Sequence, residues 1–199
     1  IQSILIEKGI SVNWTILGKG PETESLIAQW SDQDNINFYT PETQHQVLEI
    51  IKQNDILVFP TKFEGFPVAL LEAMSLGCVP VVSDIPGGIQ EVVHDGSTGY
   101  KCTLNQNIEF ANRIEALHHD RSLLFEMQKN SMNLIQKDYN VSHQTMLYQN
   151  YFIDLHRQEF LPRHHQINHK IGSRLDQPWI PNLMTRYFRK LVKYSRKSA

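Results

Sequence analysis

The chain has 199 residues, of which 41% are hydrophobic and 20% charged, with a formal net charge of −2. That is room for one domain and an appendage, in an ordinary globular composition. The balance offers no basic excess for nucleic acid, no apolar run spans a bilayer, and no secretory signal is seen. Cys78 and Cys102 make no disulfide framework and read as reduced packing residues, which fits a cytoplasmic setting.

Ile1, Ile4, Leu5 and Lys8 stand at helical spacing, and Gly9 supplies a C-terminal stop. The chain thus opens on what reads as the tail of an amphipathic helix. We expect it to be the C-terminal part of something longer. Val12–Leu17 alternates with period two and predicts a strand. Gly18–Pro21 is a turn into a helix over Glu22–Ser31. Asn35–Tyr39 is a second short strand. Thr40-Pro41 caps a helix to about Asn54, with Val47, Leu48, Ile50 and Ile51 inward. Asp55–Pro60 has the apolar run of a buried strand.

A helix over Pro67–Leu76 follows, stopped by Gly77, and then a strand over Val79–Ser83. Pro86-Gly87-Gly88 turns into a short helix over Ile89–Val93, and Tyr100–Thr103 reads as an edge strand. Strands alternating with short helices imply an α/β fold, a Rossmann-like parallel sheet sandwiched by helices. From Asn107 the pattern is helical. Ile108, Ala111, Ile114 and Leu117 form one stripe; Leu123, Met127, Met132 and Leu134 suggest a second. Ser142 caps a third helix to about Arg157. Residues 1–157 therefore read as one domain with C-terminal helices. Residues 158–199 read as an irregular linker and a basic amphipathic helix over Asn182–Lys197. That tail segment fits a membrane-surface anchor, a helix packing on an N-terminal domain missing here, or plain disorder.

The most informative run is Glu64-Gly65-Phe66-Pro67-Val68-Ala69-Leu70-Leu71-Glu72. Two carboxylates separated by seven residues flank a turn that opens a helix. A helix mouth at the end of a strand presents free N–H groups to an anion, and a carboxylate on each side can take sugar hydroxyls. Ligands in open parallel sheets bind at the carboxyl ends of strands. The loops Gly18–Pro21, Thr61–Pro67 and Asp84–Gly88 leave such ends.

Phe59-Pro60-Thr61, the Glu64/Glu72 pair with Ala73-Met74 after it, Gly77-x-x-Pro80-Val81-Val82, Gly87-Gly88 and Glu91-Val92-Val93 together resemble one family. It is the donor-binding C-terminal half of GT-B retaining glycosyltransferases, "family four", or group 1. The resemblance covers about Val12–Thr103 and extends loosely to about Tyr151. It implies transfer of a sugar from a nucleotide-diphosphate sugar to an acceptor hydroxyl, in polysaccharide or glycolipid assembly.

The resemblance also implies roles. Glu64, the one candidate catalytic residue, would accept bonds from donor-sugar hydroxyls. Gly65, Phe66 and Pro67 would line sugar and phosphate. The amides of Val68 and Ala69 would hold the diphosphate. Glu72 would take the ribose hydroxyls. Gly18 and Gly20 match a glycine loop near the phosphates, and Phe38 and Tyr39 fall where the base packs. Glu64 is read as positioning the sugar rather than attacking it. The family's Arg and Lys that neutralise the leaving diphosphate would lie before Ile1, and Lys19 is not assigned that role. Without them and an acceptor domain, the chain alone is expected to bind donor weakly and not to turn over.

The expected partners are the nucleotide-sugar donor, an acceptor glycan or lipid-linked sugar and the missing N-terminal domain. A membrane surface, reached through the tail, would place the protein at the inner membrane face. No metal and no cofactor beyond the donor co-substrate are expected. The nine histidines, including His118-His119 and His164, His165 and His169, lack a ligand set at metal spacing. Trp14, Trp30 and Trp179 read as packing residues. Two other readings compete: a non-catalytic nucleotide-binding partner subunit, and a nucleotide-sugar epimerase of the same fold. Gly87-Gly88 fits a plain turn or a close approach to ligand, and Glu91 a cap or a contact.

Overall fold

The computed structural model describes residues 1–30 and 32–157. The tail helix, Trp179, His164, His165 and His169 lie outside the described residues. The chain divides into two compact units, Ile1–Tyr151 and Phe152–Ala199. The first runs α1 (Gln2–Glu7), β1 (Trp14–Leu17), α2 (Thr23–Trp30), β2 (Ile36–Tyr39), α3 (Gln44–Ile51), β3 (Ile56–Phe59), α4 (Val68–Ser75), β4 (Val79–Ser83), α5 (Gly88–Val92), β5 (Tyr100–Cys102), α6 (Asn107–His119), α7 (Arg121–Asp138) and the start of α8 (Val141–Arg157). The described part of the second unit is the end of α8. Among the described residues no helix is long and apolar enough to cross a membrane.

Local chemistry explains the element ends. Gly9 takes φ +70 after α1, and the amide of Ile10 returns to the carbonyl of Leu5 at 2.9 Å. This is the left-handed stop that glycine allows without a Cβ penalty. α3 starts later than Thr40-Pro41 suggests. Thr43 is its N-cap, in a reciprocal capping box with Gln46, and this satisfies two orphan amides at once. Asp120 caps α7 by accepting from the amide of Leu123 at 2.9 Å. For α8 the cap is Asn140, whose Oδ1 accepts from the amide of His143 at 2.8 Å, rather than Ser142.

All pairing is parallel, as the alternation of strands and helices predicts. The strands form two sheets, however, β1-β2 and β3-β4-β5. β4 is buried along its whole length, whereas β3, an Ile-Leu-Val-Phe run, is half-buried throughout. The reason is edge count: among the described residues β4 has a neighbouring strand on both sides and β3 on one. Pro80 sits inside β4 at no cost to the ladder, because β5 begins pairing only at Val81. Gly99 completes that corner; a Cβ there would lie 2.4 Å from the carbonyl of Pro80.

The core lies on both faces of β4. Val82 packs with Leu70, Met74, Ile89 and Val92 of α4 and α5, and with Ile135 of α7. Val79 and Val81 point the other way, against Phe110 and Leu117 of α6 and Leu124 and Met127 of α7. Period-two alternation puts them on opposite faces. The helical stripes differ in detail from the sequence pattern. Phe110 is buried and Ile108 exposed on α6. On α7 the buried set is Leu124, Met127, Ser131 and Ile135, and Met132 is exposed. Ser131 breaks the apolar pattern yet belongs inside, because its hydroxyl donates to the carbonyl of Thr98 at 2.5 Å.

Candidate functional site

α4 opens directly after the β3 loop. Its N-cap, Pro67, is extended (φ −79, ψ 100), and no side chain caps it. The amides of Leu70 and Leu71 return to the carbonyl of Pro67 at 3.1 and 3.4 Å. Those of Val68 and Ala69, in the same first turn, stand ahead of any carbonyl that an α-helix could offer them. Leu70, Ala73 and Met74 anchor the helix in the core, while Val68 is 62% exposed. The positive end of the helix therefore faces outward, where an anion gains about 0.3–1 kcal/mol or more.

Glu72 lies one turn further on, half-buried, where its Oε1 accepts from Nε2 of Gln44, the first residue of α3, at 2.5 Å. Glu72 and Ala69 share a groove of about 1160 Å³ with Gly18, Lys19 and Pro60. Gly18 has φ +134 and open space around it, so the conformation rather than crowding calls for glycine. Its amide donates to the carbonyl of Tyr39 at 3.1 Å, which ties the glycine loop to the end of β2. The amide of Gly20 is already taken by Thr23 Oγ1 at 2.7 Å. Phe38 is half-buried and Tyr39 exposed.

Glu64, Gly65 and Phe66 form a second group, built against α5. Thr61 Oγ1 lies 3.5 Å from Glu64 Oε1 and donates to the carbonyl of Phe63 at 3.1 Å. The amide of Gly88 donates to the carbonyl of Gly65 at 2.8 Å. A Cβ on Gly87 would meet the carbonyl oxygen of Glu64 at 2.8 Å, and one on Gly88 would meet Phe66 Cδ2 at 2.5 Å. Gly87-Gly88 thus approaches the chain's own loop closely and holds it. Phe66 leans on Tyr139, with ring centroids 6.0 Å apart, and the Tyr139 hydroxyl donates to the carbonyl of Glu91 at 3.4 Å. Burial pushes the Tyr139 phenol above its ordinary range, with Glu91 and Asp138 adding to the effect.

The structure brings Gly18, Ala69 and Glu72 together around the groove. Glu64, Gly65, Phe66, Pro67, Val68, Gly20, Phe38 and Tyr39 are not among the residues lining it. Gln44 and Tyr139 escape a reading from sequence. Gln44 is 28 positions from Glu72, Tyr139 is 48 from Glu91, and no local pattern marks either pairing. Among the described residues no group of three or more His, Cys, Asp or Glu side chains could hold a metal. The rings of His118 and His119 contact each other, with centroids 5.2 Å apart.

Both cysteines are free and buried. Cys78 donates to the carbonyls of Asn54 and Ile51 at 3.0 and 3.3 Å. Burial first, then Asp55, pushes its thiol from 9.0 up to about 11. Burial, with Glu109 next, pushes Cys102 up to about 12. The folded state therefore holds these protons more tightly than the unfolded chain. Whatever stability this linkage carries is intact below about pH 9 and declines as pH rises toward 11–12. We expect both thiols to resist a disulfide reagent at pH 8 until denaturant is added, as thiol titration would show. Rapid labelling of either in the native chain would contradict this burial.

Over residues 2–134 the chain matches the family described as Glycosyl transferases group 1. It is 30% identical over 146 residues to a protein of Escherichia coli (strain K12) assigned to colanic acid biosynthesis as glycosyltransferase WcaL, covering 68% of this chain and 36% of that one. It is 26% identical over 147 residues to N-acetyl-alpha-D-glucosaminyl L-malate synthase of Bacillus anthracis, covering 72% and 38%. The chain thus spans little more than a third of these relatives. Among solved structures, Staphylococcus aureus TarM, as a variant in complex with fondaparinux, alpha-GlcNAc-glycerol and UDP, superposes with TM-score 0.67 at 19% identity, covering 75% of this chain and 30% of that one. Anabaena HepE, in complex with UDP-glucose, gives TM-score 0.61 at 20% identity, covering 76% and 45%. The parallel strands, the flanking helices and the match across two thirds of the sequence lead to one assignment: the chain belongs to the glycosyl transferases group 1 family and carries a GT-B glycosyltransferase domain.

Proposed function

We propose that this domain binds the donor of a retaining glycosyltransferase and that the full protein moves a sugar from a nucleotide-diphosphate sugar to a hydroxyl of a glycan or a lipid-linked sugar. The observation that carries this reading is the uncapped N-terminus of α4, with Glu72 one turn into the helix and Glu64 just before it. A diphosphate fits the amides of Val68 and Ala69. The vicinal hydroxyls of a ribose fit Glu72, and the sugar fits Glu64. The enzyme then works by stabilising charge on the departing phosphate. Glu64 positions the sugar and forms no bond to it. An acceptor domain completes the cleft, so this chain alone binds donor weakly and does not turn over. The reaction runs at the cytoplasmic side, without a metal.

Titration calorimetry of the full-length protein with a panel of nucleoside diphosphates and their sugar conjugates tests the reading. UDP and UDP-glucose come first, because the TarM and HepE complexes hold them. Glu64→Ala should leave affinity for the bare diphosphate unchanged and remove the increment contributed by the sugar, about tenfold or more for a lost charge-assisted bond. An unchanged sugar increment would sink the role of Glu64. No binding of any diphosphate would sink the donor reading.

A further inference from the structure

The Phe66 ring has a built seat. A Cβ on Gly88, the first residue of α5, would stand 2.5 Å from Phe66 Cδ2, so the ring lies directly on that glycine. It also meets Tyr139, at 6.0 Å between centroids and 36° between planes. Tilted pairs at that distance attract beyond the apolar area that they cover. Tyr139 is itself held in place. It is the C-cap of α7, where its amide donates to the carbonyl of Ile135 at 3.0 Å. Its side chain packs against the buried cluster that includes Leu70, Ile89, Val92 and Ile135. The hydroxyl reaches the carbonyl of Glu91 at 3.4 Å, long for such a bond, so the ring carries more of the contact than the hydroxyl does.

Phe66 stands between two parts of the proposed donor site. Glu64 is two residues before it, and the first-turn amides of Val68 and Ala69 are two and three residues after it. The supports of the two parts differ. Pro67, Leu70, Ala73 and Met74 are buried and anchor the start of α4. Gly65 and Phe66 are exposed, and Glu64 is half-buried. This loop is held by the 2.8 Å bond from the amide of Gly88 to the carbonyl of Gly65, by the contact of Thr61 with Glu64, and by the seat of Phe66. A change in the seat therefore reaches the Glu64 carboxylate before it reaches the amides of α4. Resting on the donor reading of Glu64, we propose that Tyr139 is a positioning residue for the transferred sugar. Its ring contact with Phe66 fixes where the Glu64 carboxylate stands, and so sets the affinity that the sugar adds to that of the nucleoside diphosphate. Tyr139 acts through Phe66 rather than by touching the ligand.

Tyr139→Leu, Tyr139→Phe and Phe66→Leu in the full-length protein test it with two readouts. The first needs no donor: exchange of the Gly88 amide, followed by hydrogen-exchange mass spectrometry. Tyr139→Leu and Phe66→Leu should each speed it by about fivefold or more, because the Gly65 carbonyl leaves its place, while Tyr139→Phe keeps the wild-type rate. The second is titration calorimetry with the tightest diphosphate and sugar conjugate of the panel, beginning with UDP and UDP-glucose. Tyr139→Leu should leave affinity for the bare diphosphate within about twofold of wild type and cut the increment from the sugar by about three- to tenfold, a loss that Tyr139→Phe does not show. Adding Phe66→Leu to Tyr139→Leu should not deepen the larger single loss. Met127→Ala is the control for stability. Buried on the other face of β4, it should lower Tm and leave the sugar increment unchanged. If Tyr139→Leu does not fold, Tyr139→Met fills the site without a flat ring and takes its place. Unchanged exchange at Gly88 overturns the brace. Faster exchange with an intact sugar increment, or an equal loss in Met127→Ala, overturns the positioning role and leaves the donor reading standing. If no diphosphate of the panel binds wild type, the donor reading falls and takes this role with it.

Discussion

Glu72→Ala should weaken binding of the nucleotide itself by roughly ten- to a hundredfold in the full-length protein. The carboxylate lies at the groove with Ala69, one turn from the uncapped start of α4. A carboxylate that takes two vicinal hydroxyls makes charge-assisted bonds of about 1.5–3 kcal/mol each, and loss of about that much in total corresponds to the stated range. The side chain also accepts from Gln44, which ties α3 to α4. Gln44→Ala separates the two effects: it removes the protein's own bond and leaves the carboxylate for the ligand. Titration calorimetry should find Gln44→Ala much closer to wild type than Glu72→Ala. Equal losses in the two variants would mean that Glu72 merely braces α3.

The second large effect is structural and reaches the site through the backbone. Gly87 has φ +121 and ψ −157, a region that is essentially glycine's alone. A methyl group there would also stand 2.8 Å from the carbonyl oxygen of Glu64 and 3.2 Å from that of Gly65. Backbone strain of about 1–3 kcal/mol and overpacking of similar size act together. Gly87→Ala is therefore expected to cost about 2–5 kcal/mol and to lower Tm by something on the order of 10 °C. Gly96 has φ +74 with nothing near its missing Cβ, so Gly96→Ala isolates strain from crowding. Thermal unfolding should show Gly87→Ala well below Gly96→Ala. The sugar-dependent increment in donor affinity should fall in Gly87→Ala alone, because it is the Glu64 loop that must move. Equal melting temperatures would refute the packing argument.

Much of this was legible in the amino-acid order. Apolar alternation marked β1, a continuous apolar run marked β3, and glycines marked the ends of α1 and α4, because these signals are local: an exposed strand repeats every second residue, a buried one is apolar throughout, and a left-handed stop needs no Cβ. The Glu64–Glu72 run could be read for the same reason, since a turn, a proline and the first turn of a helix all lie within nine consecutive positions. Other features have no local signature. Ser131 looks like a break in a helical stripe until the carbonyl of Thr98 is found beside it, 33 positions away in the chain. Gly87-Gly88 reads equally as a turn or a ligand contact until Gly65 and Phe66 are seen packed on it. The pairing of Gln44 with Glu72, and of Tyr139 with Phe66, depends on how α3 and α7 dock on the rest. The division of the strands into two sheets is of the same kind. Alternating strands and helices specify parallel pairing, but not which strands pair: among the described residues β1 bonds β2 in one sheet and β3, β4 and β5 form another, a grouping with no local signature in the sequence.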